Sequence, residues 1–208
     1  MNKRGWKNFW KNFWFVFWRD DSFKGWVISI IFLFIIIKGL FFPILEITTG
    51  TALPLVIVES CSMYHQGGAF SNFNNWWETH DEKYQKFDLD KTIFQDFTLK
   101  KGFNKGDILF ITKAKPDKLK LGDIIIFDAN YKNPIIHRVI KIEQTSQGKI
   151  FSTIGDNNNG QLPIETRISE SQLIGKASIK LVPYAGWIKL IFFENARSSS
   201  ERGFCHEN

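Results

Sequence analysis

Ile135-Ile-His-Arg-Val-Ile-Lys-Ile142 is a run of β-branched residues with a histidine and an arginine set side by side within it. Such side chains pack well on a pleated surface and lose rotamer freedom in a helix, so the stretch reads as a strand. It is not alone. Leu55–Val58, Asp107–Thr112, Asp123–Phe127, Ile150–Ile154 and Leu173–Leu181 are further short Ile/Val/Phe-rich runs, separated by Gly, Asn, Asp and Lys. Gly106-Asp107 and Gly122-Asp123 each stand just before an apolar run, where turn residues belong. The pattern predicts a mainly β fold: an antiparallel domain over residues 50–193.

Within that domain, Gln66–Asn104 breaks the pattern. It is polar and aromatic, with Trp76, Trp77, Tyr84, Phe87, Phe94 and Phe97 among Glu, Lys and Gln. This content predicts one or two short helices, an insertion over 66–104 too short to hold a core of its own. Trp187–Phe193 is too brief to span a bilayer and reads as an interfacial segment. Residues 194–208 are polar and read as a disordered tail.

Outward from the β domain lies the apolar part. Hydrophobic residues make up 44% of 208, yet the mean hydropathy is only -0.16. The apolar residues must therefore be concentrated, and Trp26–Leu45 is where they collect. As a helix these twenty residues would reach about 30 Å, the thickness of a bilayer core. Lys38 and Pro43 interrupt the outer half, and a lysine near the end of a span snorkels to the interface. A cleaved secretory signal fits poorly, because twenty-five residues precede the run and no small-x-small site follows closely. The anchor, with its flanks, is placed at 23–47.

Residues 1–22 carry Trp6, Phe9, Trp10, Phe13, Trp14, Phe15, Phe17 and Trp18 threaded with Lys3, Arg4, Lys7, Lys11 and Arg19. Aromatic and basic helices of this kind lie in the headgroup layer. Asp20, Asp21 and Ser22 are candidate caps for the membrane helix. Six Lys/Arg against two Asp over residues 1–24 predict that this end stays cytoplasmic and that the β domain faces outward. The net charge of +6 fits adhesion to an anionic membrane surface. It does not argue for nucleic acid, since the basic residues are scattered and no nucleic-acid motif is present. Cys61 and Cys205 are too few and too far apart in sequence for a disulfide framework or a metal site.

Three positions carry candidate chemistry. Ser62 follows the strand-like Pro54–Val58 within Glu59-Ser60-Cys61-Ser62-Met63, where a sheet edge would hold a nucleophile rigidly; its alternative is an ordinary turn serine. His137 is the histidine inside an apolar run, whereas His65, His80 and His206 lie in polar stretches. An imidazole abstracts a hydroxyl proton near neutral pH; the alternative is a satisfied strand histidine. Asp156, in Gly155-Asp156-Asn157-Asn158 after Ile150–Ile154, is placed to orient an imidazole or simply to form an Asx turn.

The order of these segments resembles the archaeal and endoplasmic-reticulum branch of signal peptidase I. Ser60-Cys61-Ser62-Met63 resembles its serine box, Gly122–Phe127 its Gly-Asp-apolar strand box, His137-Arg138-Val139 its His-Arg-Val box and Gly155–Asn158 its Gly-Asp-Asn-Asn box. Gly175-Lys176 and Val182-Pro183-Tyr184 resemble its closing strand, so the likeness runs from the anchor to about Trp187. The resemblance implies a signal-peptidase-like antiparallel β domain and a serine/histidine endopeptidase. Ser62 would be nucleophile and His137 base, with the Ser62 backbone N–H and the Ser60 hydroxyl as oxyanion donors. It implies no cofactor and no metal. Substrates would be precursors bearing N-terminal signal peptides, delivered by the translocation channel and cleaved at the outer face of the lipid bilayer.

Two departures stand out. Cys61 occupies a position where glycine is usual, and Leu162 occupies the place of a second aspartate taken as the triad acid. Asp156 then becomes the expected acid, with Glu165 as substitute. The rival readings are a catalytically inactive membrane-anchored β domain that displays a binding surface, and a dedicated processor of a few surface or pilus proteins.

Overall fold

The structure, a computed structural model, describes residues 6, 10, 11, 14, 15, 18, 19, 22–67 and 72–206. The chain divides into two units, Met1–Thr48 and Thr49–Asn208. In the first, Trp6, Trp10, Lys11, Trp14, Phe15 and Trp18 are helical and exposed. Trp6 meets Trp10 edge-on at 5.8 Å and Trp14 meets Trp18 at 6.1 Å, the spacing of neighbours one helical turn apart. The expectations for Lys3, Arg4, Lys7, Phe9, Phe13, Phe17, Asp20 and Asp21 lie outside the described residues.

Helix α1, Phe23–Thr49, is the one helix among the described residues long and apolar enough to cross a bilayer. Ser22 caps it, its Oγ accepting a hydrogen bond from Gly25 N at 3.1 Å, which satisfies a donor that the helix leaves unpaired. Its 27 residues reach about 40 Å, enough to cover a core of about 30 Å with some tilt. Ile37–Phe41 is π-helical, and Lys38 lies there, its Nζ 5.9 Å from the Phe42 ring centroid.

The second unit is built on one seven-stranded sheet in the order β1-β2-β7-β3-β4-β5-β6. The strands are β1 (Leu55–Ile57), β2 (Ile108–Thr112), β3 (Ile124–Phe127), β4 (Ile135–Thr145), β5 (Gly148–Ile154), β6 (Ile168–Ser169) and β7 (Leu173–Val182). Every pairing is antiparallel. β4 and β5 run two or three residues past the apolar segments that announce them, because their hairpin closes only at the two-residue tip Ser146-Gln147, between paired Thr145 and Gly148. β6 lies beyond the pattern; two residues carry no periodicity to read.

All four residues of β3 are buried, which explains why Ile124-Ile-Ile-Phe127 shows no alternation: both faces of the sheet are covered there. Ile124 and Ile126 pack with Val58, Met63, Phe103, Leu109, Ile111 and Ala177. On the opposite face, Ile125 and Phe127 pack with Leu119, Val139, Phe151 and Ile168. Burying each such side chain contributes about 1.5–3 kcal/mol. Register shifts in the β2–β7, β3–β7 and β4–β5 pairs bend the sheet locally, as bulges do.

The insertion forms α2 (Phe73–Gln85) and α3 (Lys91–Gln95). Asn72 caps the first and Asp90 the second, at 3.1 and 2.8 Å. Its aromatics do not float free: Trp76, Trp77, Tyr84, Leu89 and Phe94 make a third cluster with Ile140 of β4 and Ile154 of β5. The sheet supplies the partner surface that the insertion lacks.

Two expectations are overturned. Cys61 and Cys205 form a disulfide across 144 positions; linear separation says nothing about proximity once the chain has folded back. The segment from Glu194 is not disordered over its described residues. It forms 3-10 turns at Glu194–Ala196 and Ser199–Glu201, and Arg197, Arg202 and Gly203 are hydrogen-bonded. Two of its charged residues, Glu194 and Arg197, are taken up in ion pairs with Lys105 and Glu59. Trp187–Phe193 opens with helix α4, Trp187–Leu190, and leaves Ile188, Ile191 and Phe192 exposed.

Candidate active site

Strand alternation divides the chemistry of β4 between two faces. His137 and Val139 point one way, Arg138 and Ile140 the other. His137 is 4% exposed and Glu165 fully buried, and Nδ1 of the imidazole is hydrogen-bonded to Oε1 of the carboxylate. Glu165 is itself held. Thr153 of β5 donates to the same Oε1 at 3.0 Å, and the backbone N–H of Leu162 donates to Oε2 at 2.8 Å. Thr153 lies opposite Val139 in register, so it projects from the face that carries His137. Pro163 opens the short 3-10 turn Pro163–Glu165, which swings the carboxylate back under the sheet. Leu162 is 40% exposed, and the carboxylate that meets His137 is that of Glu165, three residues further along.

Asp156 does not meet His137; its carboxylate is taken up on the other side. Arg138 grips it with two bonds, Nε to Oδ1 at 2.9 Å and Nη2 to Oδ2 at 2.6 Å. Tyr84 donates to Oδ1 at 2.8 Å, and His65 Nε2 lies 2.9 Å from Oδ2. Arg138 also donates to the carbonyls of Thr98, Leu99 and Gly122 and stacks over Phe94 at 4.8 Å. Burial alone would raise the Asp156 pKa, but the charge and hydrogen bonds of Arg138, with His65, hold it well below the usual carboxylate range. The reciprocal effect raises Arg138 against its own burial. Burial lowers His65 despite Asp156 and pushes Tyr84 well up. Burial also lowers Lys83, whose Nζ binds the carbonyls of Asp156 and Asn158, to about 8. A buried network this densely hydrogen-bonded rigidifies its surroundings, although His65 Nδ1 finds no partner among the described residues.

What it rigidifies is the loop beside Ser62. The Asn157 N–H donates to Ser62 O at 2.8 Å, and Asn157 Nδ2 to Cys61 O at 3.2 Å. Asp156 N lies 3.4 Å from Met63 Sδ. Gly155 cannot carry a side chain, since a Cβ would stand 2.8 Å from Ser62 O and 2.7 Å from Asn158 Nδ2. Each residue of Gly155–Asn158 thus has a physical task, and three of them bear directly on the serine loop.

Ser62 Oγ lies 3.2 Å from Ser60 Oγ, and its N–H donates to no acceptor among the described residues. No hydrogen bond joins Ser62 to His137 among them either. The structure therefore brings together His137 with Glu165 and Ser60 with Ser62, and leaves the two pairs unlinked. Sequence reasoning missed His65, Lys83, Tyr84 and Arg138. Arginine beside the histidine in an apolar strand was the available signal, because a buried guanidinium requires a carboxylate.

No family model matches the chain. Individual proteins do. Over 105 residues it is 32% identical to the signal peptidase complex catalytic subunit SEC11C of Homo sapiens, covering 45% of this chain and 52% of that one. The chain is similar to signal peptidase catalytic subunits. The same protein of Mus musculus gives the same figures, 32% over 105 residues with 45% and 52% covered. The SEC11 subunit of Lachancea thermotolerans is 29% identical over 107 residues, 47% of this chain and 62% of its own. The chain spans about half the length of the curated relatives it matches. The antiparallel sheet with one N-terminal apolar helix and small inserted helices is consistent with a signal-peptidase-like fold.

Proposed function

We propose that the chain is a membrane-anchored serine endopeptidase that cleaves N-terminal signal peptides from exported precursors. The observation that carries this reading is the buried His137–Glu165 pair, in a chain similar to signal peptidase catalytic subunits. With Nδ1 bonded to the carboxylate, the imidazole presents Nε2 as the proton acceptor.

In the proposed reaction Ser62 Oγ attacks the scissile carbonyl carbon and passes its proton to His137 Nε2. The oxyanion takes hydrogen bonds from the Ser62 N–H and the Ser60 hydroxyl. Collapse breaks the C–N bond, His137 returns the proton to the leaving amine, and water then hydrolyses the acyl ester by the reverse proton path. Glu165 orients the imidazole, while Asp156 holds the loop that carries the nucleophile. Because Ser62 and His137 are not hydrogen-bonded, substrate must draw them together; catalytic hydrogen bonds often tighten only in the substrate complex.

The basic N-terminal segment argues for a cytoplasmic start and an outer-face catalytic domain. Precursors leaving the translocation channel keep their own apolar helix in the bilayer, so anchoring both partners there raises their effective concentration. The test is cleavage of a precursor by the full chain in lipid vesicles. Wild type should release the mature protein, and Ser62→Ala and His137→Ala should not. The pairing of Ser62 with Ser60 instead of His137 favours a second reading, a non-catalytic binding domain. Equal inertness of wild type and Ser62→Ala towards good substrates would establish it.

A further inference from the structure

Glu59-Ser-Cys-Ser-Met63 is fastened from two sides. Asn157 holds the Ser62 and Cys61 carbonyls, as described above. The other side is held by the segment Glu194–His206. Cys205 is bonded to Cys61, directly before the nucleophile. Arg197 binds Glu59 twice, Nη2 to Oε2 at 2.7 Å and Nη1 to the backbone carbonyl at 3.2 Å; Lys189 adds a contact at 3.5 Å. Asn157 Nδ2 also donates to His206 O at 2.9 Å, so one amide touches both the serine loop and this segment.

The segment itself is pinned to the domain. Lys105, 1% exposed, binds Glu194 at 2.9 Å and the Glu201 carbonyl at 2.7 Å. Phe204 packs on Trp187 at 4.9 Å, and Gly203 N donates to Glu194 at 2.8 Å. None of these bonds falls on the Ser62 hydroxyl, and Ser62 stays half-buried. The segment braces the loop without covering the nucleophile.

We propose that Glu194–His206 is a disulfide-fastened brace that positions the nucleophile loop, so that the competence of Ser62 depends on Cys61 and Cys205 being joined. This rests on Ser62 being the nucleophile. Cys61 and Cys205 are positioning residues, and both are half-buried, within reach of a small thiol reagent. A dithiol would open the bond by attack of its thiolate on one sulfur. Its second thiolate then resolves the mixed disulfide, leaving two cysteine thiols and the cyclised, oxidised reagent. An outward-facing domain keeps the bond closed, since disulfides persist in oxidising surroundings. The peptidase would then be competent on the side of the membrane where its precursors emerge.

The experiment uses the full chain in phosphatidylcholine/phosphatidylglycerol vesicles with a precursor substrate. It compares the oxidised, dithiothreitol-reduced and re-oxidised protein with Cys205→Ser. A displacement of about 1 Å at reacting atoms costs about 10²-fold in rate. Reduction should therefore lower kcat roughly ten- to hundred-fold with KM little changed, re-oxidation should restore it, and Cys205→Ser should be low and indifferent to dithiothreitol. Hydrogen exchange supplies a readout free of catalysis: the amides of Cys61–Met63 should lose protection on reduction while those of β3 and β4 keep theirs. An active enzyme whose kcat is unmoved by reduction overturns the brace and leaves the peptidase standing. An enzyme that reduction activates shows a closed lid and also overturns it. If the protein is inert in every redox state the peptidase reading fails, and unchanged protection of Cys61–Met63 then overturns the brace as well.

Discussion

Replacing Glu165 by Gln separates the two carboxylates that the sequence left in competition. In the wild type both oxygens of Glu165 accept, Oε1 from His137 Nδ1 and Thr153, Oε2 from the Leu162 N–H. A glutamine offers one oxygen and one NH2. If the oxygen stays with His137, the NH2 faces the Leu162 donor. If it turns to Leu162, the NH2 faces Nδ1 and forces the proton onto Nε2, the nitrogen that accepts from Ser62 in the proposed reaction. The wrong tautomer at a serine-protease imidazole costs about 10⁴ in kcat, which is about 5.4 kcal/mol of transition-state stabilisation. The mismatched donor adds about 1–3 kcal/mol of lost stability. The assay is steady-state precursor cleavage in vesicles, with thermal unfolding followed alongside. Glu165→Gln should lose about 10⁴ in kcat with KM little altered. Retention of more than about a tenth of wild-type kcat would refute the role given to Glu165.

The remaining predictions concern the buried network and its surroundings. Asp156→Asn leaves Arg138 buried without its counter-charge and should destabilise by about 3–5 kcal/mol, read as a lower urea midpoint; any activity remaining in the folded fraction separates it from Glu165→Gln. Because the Asp156 pKa is held below its unfolded value, its contribution is present above about pH 4 and lost as pH falls through the folded value. Acid unfolding should therefore be steeper in wild type than in Asp156→Asn. Lys83, lowered to about 8 by burial, releases its proton in the folded state first. Stability should thus rise in wild type relative to Lys83→Met between pH 8 and about 10.5. Gly122 sits at φ +84, and a Cβ there would stand 2.0 Å from Phe97 Cδ1. Gly122→Ala should cost more than about 1 kcal/mol, with the urea m-value unchanged.

How much of this was legible depends on the range of the interaction. The strands were, because Ile124-Ile-Ile-Phe127 and Ile135–Ile142 carry their pairing in β-branched composition. The two-residue β6 was not. The position of Glu165 was half legible: Leu162 pointed to a carboxylate elsewhere, but only the turn begun by Pro163 shows Glu165 beside His137. The Arg138–Asp156 pair was hidden because the aspartate had a ready local explanation as a turn residue. In the insertion, composition announced short helices but could not show that their aromatic face packs on β4 and β5. The segment from Glu194 was misread because charged residues look alike in sequence whether they are solvated or paired. Arg197 with Glu59 and Lys105 with Glu194 meet only after the fold has formed.

The central claim is that Ser62 forms an ester with the carbonyl carbon of its substrate. Rapid acid quenching of wild-type protein turning over a precursor, followed by peptide mapping in a mass spectrometer, tests it directly. The signal-peptide fragment should be found esterified to Ser62 in wild type and nowhere in Ser62→Ala. Cleavage that proceeds in the absence of Ser62, or an adduct carried by any other side chain, would contradict it.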